Sequence, residues 1–296
     1  SAATWRTSVY SGDFTNTANW VNGIYPSDTT QNAVFSGGKD QGDYSVRLMD
    51  GDFLGKSLNA NVWTGSSMLF DGADVIFQMP APSEGEHEAN VIQFYAGSGR
   101  PASVAFSVNQ PSTTSSAFAF SNALIKVTNT TDKNVTLDLT RGDFSFAGAD
   151  GMDAAVKATF ASGGNVDDGR DPGYGAQDFV RTYTANLTGI TATFGIFDWY
   201  GKSLTNVLNV TDAQLKVLGD MTFPSTVYAN VDATQTNHAT VTSSSIDVGG
   251  NLIFAKAGTA SVEFEDATVT VAKNIQVNNA SSLVIGNGSQ VDVTSS

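Results

Sequence analysis

Apolar residues recur at fixed offsets along the last third of the chain. Val210, Leu215, Val217, Met221 and Phe223 are followed, at the same spacing, by Val241, Ile246, Val248, Leu252 and Phe254. The pattern returns in Phe264, Val269, Val271, Ile275 and Val277, and a fourth copy, one residue longer, runs through Ile285, Val291 and Val293. Copies start 31, 23 and 21 residues apart, so one arm varies in length while the pattern holds. Inside each copy the apolar positions stand two apart (215 and 217, 221 and 223), which is the period of a strand. Each copy therefore reads as strand, turn, strand with one apolar face. A unit of about 22 residues cannot bury such a face alone, and stacking on its neighbours does so.

The turns keep the same register. Gly219-Asp220, Gly250-Asn251 and Lys273-Asn274 precede the second strand of successive copies, and Gly, Asn and Asp tolerate the backbone that tight corners require. Equivalent Asx residues in stacked coils lie about 4.8 Å apart, close enough for a structural hydrogen-bonded ladder. Related patterns extend back through Val135-Leu137-Leu139 to Gly142-Asp143, through Met68-Leu69-Phe70 to Gly72, and through Tyr44–Leu48 to Asp50-Gly51. The expected architecture is all-β: a single-stranded parallel β-helix, or β-solenoid, with an N-terminal cap and protruding loops. Residues 1–40 are expected to form the aromatic capping segment and 41–296 the solenoid. Ten to twelve coils at that spacing give a rod of roughly 50–60 Å. Pro- and acid-rich residues 78–90 and Gly- and Asp-rich residues 147–178 read as loops leaving the rod.

Composition narrows the function. A net charge of -14, with 15 Lys plus Arg, argues against nucleic acid and anionic membrane as partners. No stretch is long and apolar enough for membrane insertion. The absence of cysteine removes disulfides, thiol catalysis and thiolate zinc sites together. The opening SAATW carries neither Met nor a basic, apolar leader, as expected of a chain numbered from a signal-peptide cleavage site.

Trp5, Gly12, Asn19-Trp20, Gly23, Pro26, Asp28 and Ala33-Val34-Phe35-Ser36-Gly37, followed by YSVRLMDGDFLGKSL, make an opening that resembles autotransporter-associated β-strand repeat proteins. The resemblance covers the first 77 residues; later coils share only its style. It implies a right-handed parallel β-helix, export to the bacterial cell surface or beyond, and an adhesive or structural role. It brings no catalytic residues with it.

Candidate chemistry is sparse. The best carboxylate cluster is Asp167, Asp168 and Asp171, with Arg170 beside it, and calcium (Ca2+) is the ion such a loop would take. The competing reading is a solvated acidic loop, which also fits His87 among Glu84, Glu86 and Glu88. His238, in QTNHAT, reads as a residue between coils, and Arg141-Gly142-Asp143 as a corner. Trp5, Tyr10, Phe14, Trp20, Tyr25 and Phe35 suit a plug over the first coil better than a carbohydrate platform. The carboxyl end still alternates through Val291 and Val293, so its strand edges are open to another chain. The expected function is non-enzymatic: an extracellular homopolymer subunit joined head to tail, with Val291 and Val293 of one copy meeting Trp5 and Trp20 of the next. The alternatives are an adhesin binding surface glycans, and a polysaccharide lyase or hydrolase.

Overall fold

The computed structural model describes residues 2–9, 11–25, 133–147, 152–155, 157–163, 180–201, 203, 205–225 and 235–294, together with the strands between 32 and 129. The protein is all-β, and its strands pair in parallel throughout two sheets of ten and seventeen strands. An isolated antiparallel bridge joins Trp5 to Trp20.

Ladder A is the ten-stranded sheet. It runs Ala2–Thr4, Asn32–Ser36, Ser57–Val62, Val91–Ala96, Ala123–Asn129, Lys157–Gly163, Ile196–Gly201, Met221–Phe223, Leu252–Phe254 and Ile275–Val277. The larger sheet divides into two ladders. Ladder B starts at Ser11–Asp13 and Tyr44–Leu48 and ends at Thr236–Thr242, Ser261–Glu265 and Ser282–Ile285. Ladder C starts at Gly51–Leu54 and ends at Ser245–Val248, Thr268–Val271 and Gln290–Val293. The long strands Lys133–Phe146 and Val180–Phe194 pass through both, which is why B and C count as one sheet. Along the chain the order is B, C, A, repeated, and each strand pairs with those one repeat before and after it.

The five apolar offsets are this pairing read along the chain. Val210 pairs with Val241 and that with Phe264 in ladder B. Leu215, Ile246, Val269 and Val291 align in ladder C, as do Val217, Val248, Val271 and Val293. Met221, Leu252 and Ile275 align in ladder A, beside Phe223, Phe254 and Val277. The repeat thus has three strands, the first carrying only one of the five positions. Burial alternates along Ser261–Glu265 and Thr268–Val271: Val262, Phe264, Val269 and Val271 are at most 2% exposed, while Glu263 and Glu265 face solvent. In the middle repeats the interior is aromatic. Phe146 stacks on Phe194 at 5.0 Å, and Phe160 lies 5.0 Å from Phe197 and 6.0 Å from Trp199. Such pairs add about 0.5–1.5 kcal/mol each beyond burial.

Two corners carry polar ladders. Between C and A, the Asn251 amide N–H donates to Asp220 Oδ1 at 2.7 Å, and the Asn274 amide N–H donates to Asn251 Oδ1 at 3.1 Å. The Asx register expected from sequence is therefore a hydrogen-bonded stack. Between B and C, Asp212, Ser243 and Asp266 hold φ of 50°, 50° and 49°, and Gly288 takes the place in the last repeat at 73°. The left-handed residue lets the chain turn between strands without losing register. Inside, Asn206 donates to Asn237 Oδ1 at 3.0 Å and Asn237 to the Thr259 carbonyl at 2.7 Å, linking successive repeats.

Three expectations are corrected. Residues 147–178 are not one excursion: Lys157–Gly163 is a ladder A strand with Ala158 and Phe160 fully buried. Its short period-two run is hidden between Gly- and Asp-rich flanks. The stack does not begin at residue 41, since Ala2–Thr4 and Asn32–Ser36 pair as its first ladder A strands. Gly142-Asp143 is not the corner of Gly219-Asp220. Phe144 and Phe146 align through Ala192 and Phe194 with Leu215 and Val217, so this Gly-Asp opens a ladder C strand. Of residues 78–90, expected to protrude, Gln78 closes the strand Val75–Gln78 and 79–90 lie outside the described residues.

Candidate functional site

Among the described residues the exposed large apolar side chains are Val21, Ile24, Met152, Val277, Val284, Ile285 and Val293, all but Met152 near the first or the last described repeats. At the carboxyl end the last repeat keeps the inward register of its predecessors without their burial. Ile285 aligns with Phe264 and Val293 with Val271, yet they are 52% and 48% exposed against 1% and 0%. Val277, aligned with Phe254, is 40% exposed. Leu283, Val291 and Ile275 are partly buried against the core. Val284 is apolar where the same outward position holds Thr240 and Glu263, and it is 52% exposed. Among the described residues, Ile275–Val277, Ser282–Ile285 and Gln290–Val293 are the last strands of their ladders.

The amino end is built differently. Trp5, Phe14 and Trp20 are 1%, 3% and 0% exposed and meet edge to face, at 5.3 Å for the two tryptophans and 5.0 Å for Phe14 and Trp20. Trp5 Nε1 donates to the Val9 carbonyl at 2.8 Å and Trp20 Nε1 to the Phe14 carbonyl at 2.5 Å, so their polar handles are used internally. These three rings are interior, and neither a sugar nor a second copy can stack on them without opening the segment. Trp5 and Trp20 therefore support this end from within. Its exposed large apolar residues are Val21 and Ile24, at 41% and 53%. Asn19 Nδ2 donates to the Asp13 carbonyl at 2.9 Å, laying the Asn19 side chain along the first ladder B strand.

The other predicted positions are quickly placed. Asp167, Asp168 and Asp171 lie outside the described residues, as does His87. Among the described residues no three acidic or imidazole side chains gather as a metal site. His238 lies within the strand Thr236–Thr242, half-buried on its outer face, with its ring nitrogen 3.4 Å from Thr240 Oγ1. Asn209 of one Asn-x-Thr motif donates to Asn186 of another at 2.9 Å, and Asn279 donates to the Ala255 carbonyl, so these amides serve the stack. Missed from sequence was the buried ring of Tyr183, whose alternation with Ala185 and Leu187 marks the position but not its hydroxyl. Comparison with protein-family models, with curated proteins and with solved structures finds no match.

Proposed function

We propose that this chain is a right-handed, single-stranded parallel β-solenoid of the autotransporter-associated repeat kind, exported to the bacterial cell surface or the medium. In this reading it works without catalysis, as a structural subunit that stacks head to tail into a filament or surface layer. The observation that carries the proposal is the last repeat, where Val277, Ile285 and Val293 hold interior register while 40–52% exposed. Half-exposed side chains of this size leave about 1 kcal/mol each unrealised until another surface covers them. A contact between unlike ends propagates without closing, which gives a linear polymer.

The test compares the 296-residue chain with the double variant Ile285→Asp, Val293→Asp by light scattering and electron microscopy. Unbranched filaments are expected from the parent and single rods from the variant, with the same far-ultraviolet circular dichroism. Single rods from the parent at every concentration reached would sink the stacking reading.

A further inference from the structure

The outer face of ladder B carries a regular array in the middle of the described stack. Residues 182–188, Thr205–Thr211 and Thr236–Thr242 pair in unbroken register, and their inward side chains are buried at every second position. The side chains between them face out and fall into four columns. Thr182, Thr205 and Thr236 form the first column, and Thr188, Thr211 and Thr242 the last. The middle columns hold Thr184, Val207 and His238, and Asn186, Asn209 and Thr240. By register Thr136 and Thr140 stand in line with Thr184 and Thr188 one repeat earlier. No Asp, Glu, Lys or Arg occupies the four columns in these three strands, in a chain with 29 acidic residues and a net charge of -14. Charge returns at the borders: Glu263 and Glu265 continue the last two columns, and Lys216 and Asp247 lie round the corner in ladder C.

We propose that this face binds the surface of ice. Parallel pairing repeats the side chains about every 4.8 Å across the strands and about every 6.6 Å along them, so the patch is a two-dimensional lattice some 20 Å long. Its members are held in place. Threonine is stiff at χ1, most of the array is half-buried between its neighbours, and Asn209 donates to Asn186 Oδ1 at 2.9 Å within one column. A threonine hydroxyl donates or accepts as its partner requires, and its methyl group fills the hollow beside it. The matching surface must therefore be uncharged, able to donate and accept at each point, and periodic in two directions at comparable spacings. An ice face meets all three conditions. A mineral or phosphate lattice would call for charge that the array lacks. A single sugar chain would call for an aromatic platform, and none of the outward positions in these three strands is Phe, Tyr or Trp. The proposal is independent of end-to-end stacking, because the array lies on the side of the repeats.

The test uses the 296-residue chain and ice itself. Fluorescently labelled protein is offered to a slowly growing ice hemisphere, and grain size is followed in thin frozen films held just below melting. The parent is expected to enter the ice and to keep the grains small. Val207→Lys with Thr211→Lys raises two long charged side chains from the centre of the array and leaves the inward residues of that strand unchanged. This variant is expected to be excluded from ice and to lose the effect on grain size, with the parent's circular dichroism. Thr211→Lys alone, the milder change, is expected to weaken both readouts. Thr268→Lys adds the same charge on the exposed face of ladder C and is expected to behave as the parent does. A parent excluded from ice would overturn the proposal, and so would a folded double variant that enters ice as readily as the parent. Retention on crystalline cellulose or chitin by a parent that leaves ice untouched would assign the array to another lattice and overturn it too.

Discussion

Tyr183 sits in the ladder B part of Val180–Phe194 with its side chain fully buried and its ring edge-on to Trp199 at 4.8 Å. Its phenolic oxygen has no hydrogen-bond partner. Burial without a partner holds the hydroxyl far above its ordinary range, so it stays neutral in the folded protein. Replacing it with phenylalanine removes that oxygen and leaves the ring where it is. A buried hydroxyl that has given up water without compensation costs about 1–3 kcal/mol. Part of that returns as the small gap left by the oxygen, so Tyr183→Phe is expected to stabilise the chain by about 1–2 kcal/mol.

The pH dependence follows from the same burial. The unfolded tyrosine loses its proton near pH 10, whereas the folded one keeps it. Below pH 10 both states are protonated and the site adds no slope. Above it the unfolded state binds fewer protons, and stability falls by up to about 1.4 kcal/mol per pH unit. The variant lacks that loss, so its advantage over the parent widens between pH 10 and 11, the contributions of all other groups cancelling in the comparison. Equilibrium urea unfolding followed by tryptophan fluorescence measures both effects, with Trp199 beside the altered site. A variant about 1 kcal/mol less stable than the parent, or an advantage that does not change above pH 10, would show that the hydroxyl has a partner and refute the reasoning.

Asn251→Asp places a second carboxylate over Asp220, where Asn251 now donates from both its backbone and side-chain nitrogens. A loss of about 1–3 kcal/mol at neutral pH is expected, shrinking below pH 4, and urea titration at both values checks it. Gly250→Ala sets a methyl group 2.7 Å from the Gly219 carbonyl carbon and against Asp220 Oδ1. Backbone cannot yield there, so a loss of about 1–3 kcal/mol is expected by the same assay, with the largest fluorescence change in the repeats on either side.

What the sequence revealed depended on how much each feature repeats. The offsets of Val210, Leu215, Val217, Met221 and Phe223 name the partners in three later repeats correctly, because identical spacing in a parallel stack is identical register. The corner Asx residues were legible for the same reason. Which corner was not: Gly and Asx serve the B to C turn at Asp212 as well as the C to A turn at Asp220, and both adjoin period-two runs. Spacing alone therefore misassigned Gly142-Asp143. The strand at Lys157–Gly163 escaped because only Ala158 and Phe160 mark it as inward, too few to outweigh its flanks. The alternation at Val291 and Val293 was legible, and both lie in the last described ladder C strand.

Val271 and Val293 offer the same residue, in the same ladder, at the same inward register, one repeat apart. They differ in what lies above them: Val271 is 0% exposed and Val293 48%. Truncation to alanine removes the equivalent of two methylene groups, about 1.6 kcal/mol of transfer free energy at full burial, to which a cavity term adds. Val271→Ala is therefore expected to cost about 2–3 kcal/mol. Val293→Ala, with half its surface already in water and no cavity to enclose, should cost under 1 kcal/mol in the single chain. The contrast isolates position in the stack from chemistry. It also turns the end into a gauge of occupancy, because a subunit seated on the last repeat converts Val293 into a second Val271. Under conditions that favour polymer, the penalty of Val293→Ala, read as the shift in urea midpoint of the polymer, is expected to rise toward that of Val271→Ala. A penalty that stays small while scattering shows polymer would mean the subunits meet elsewhere than on the ladder ends.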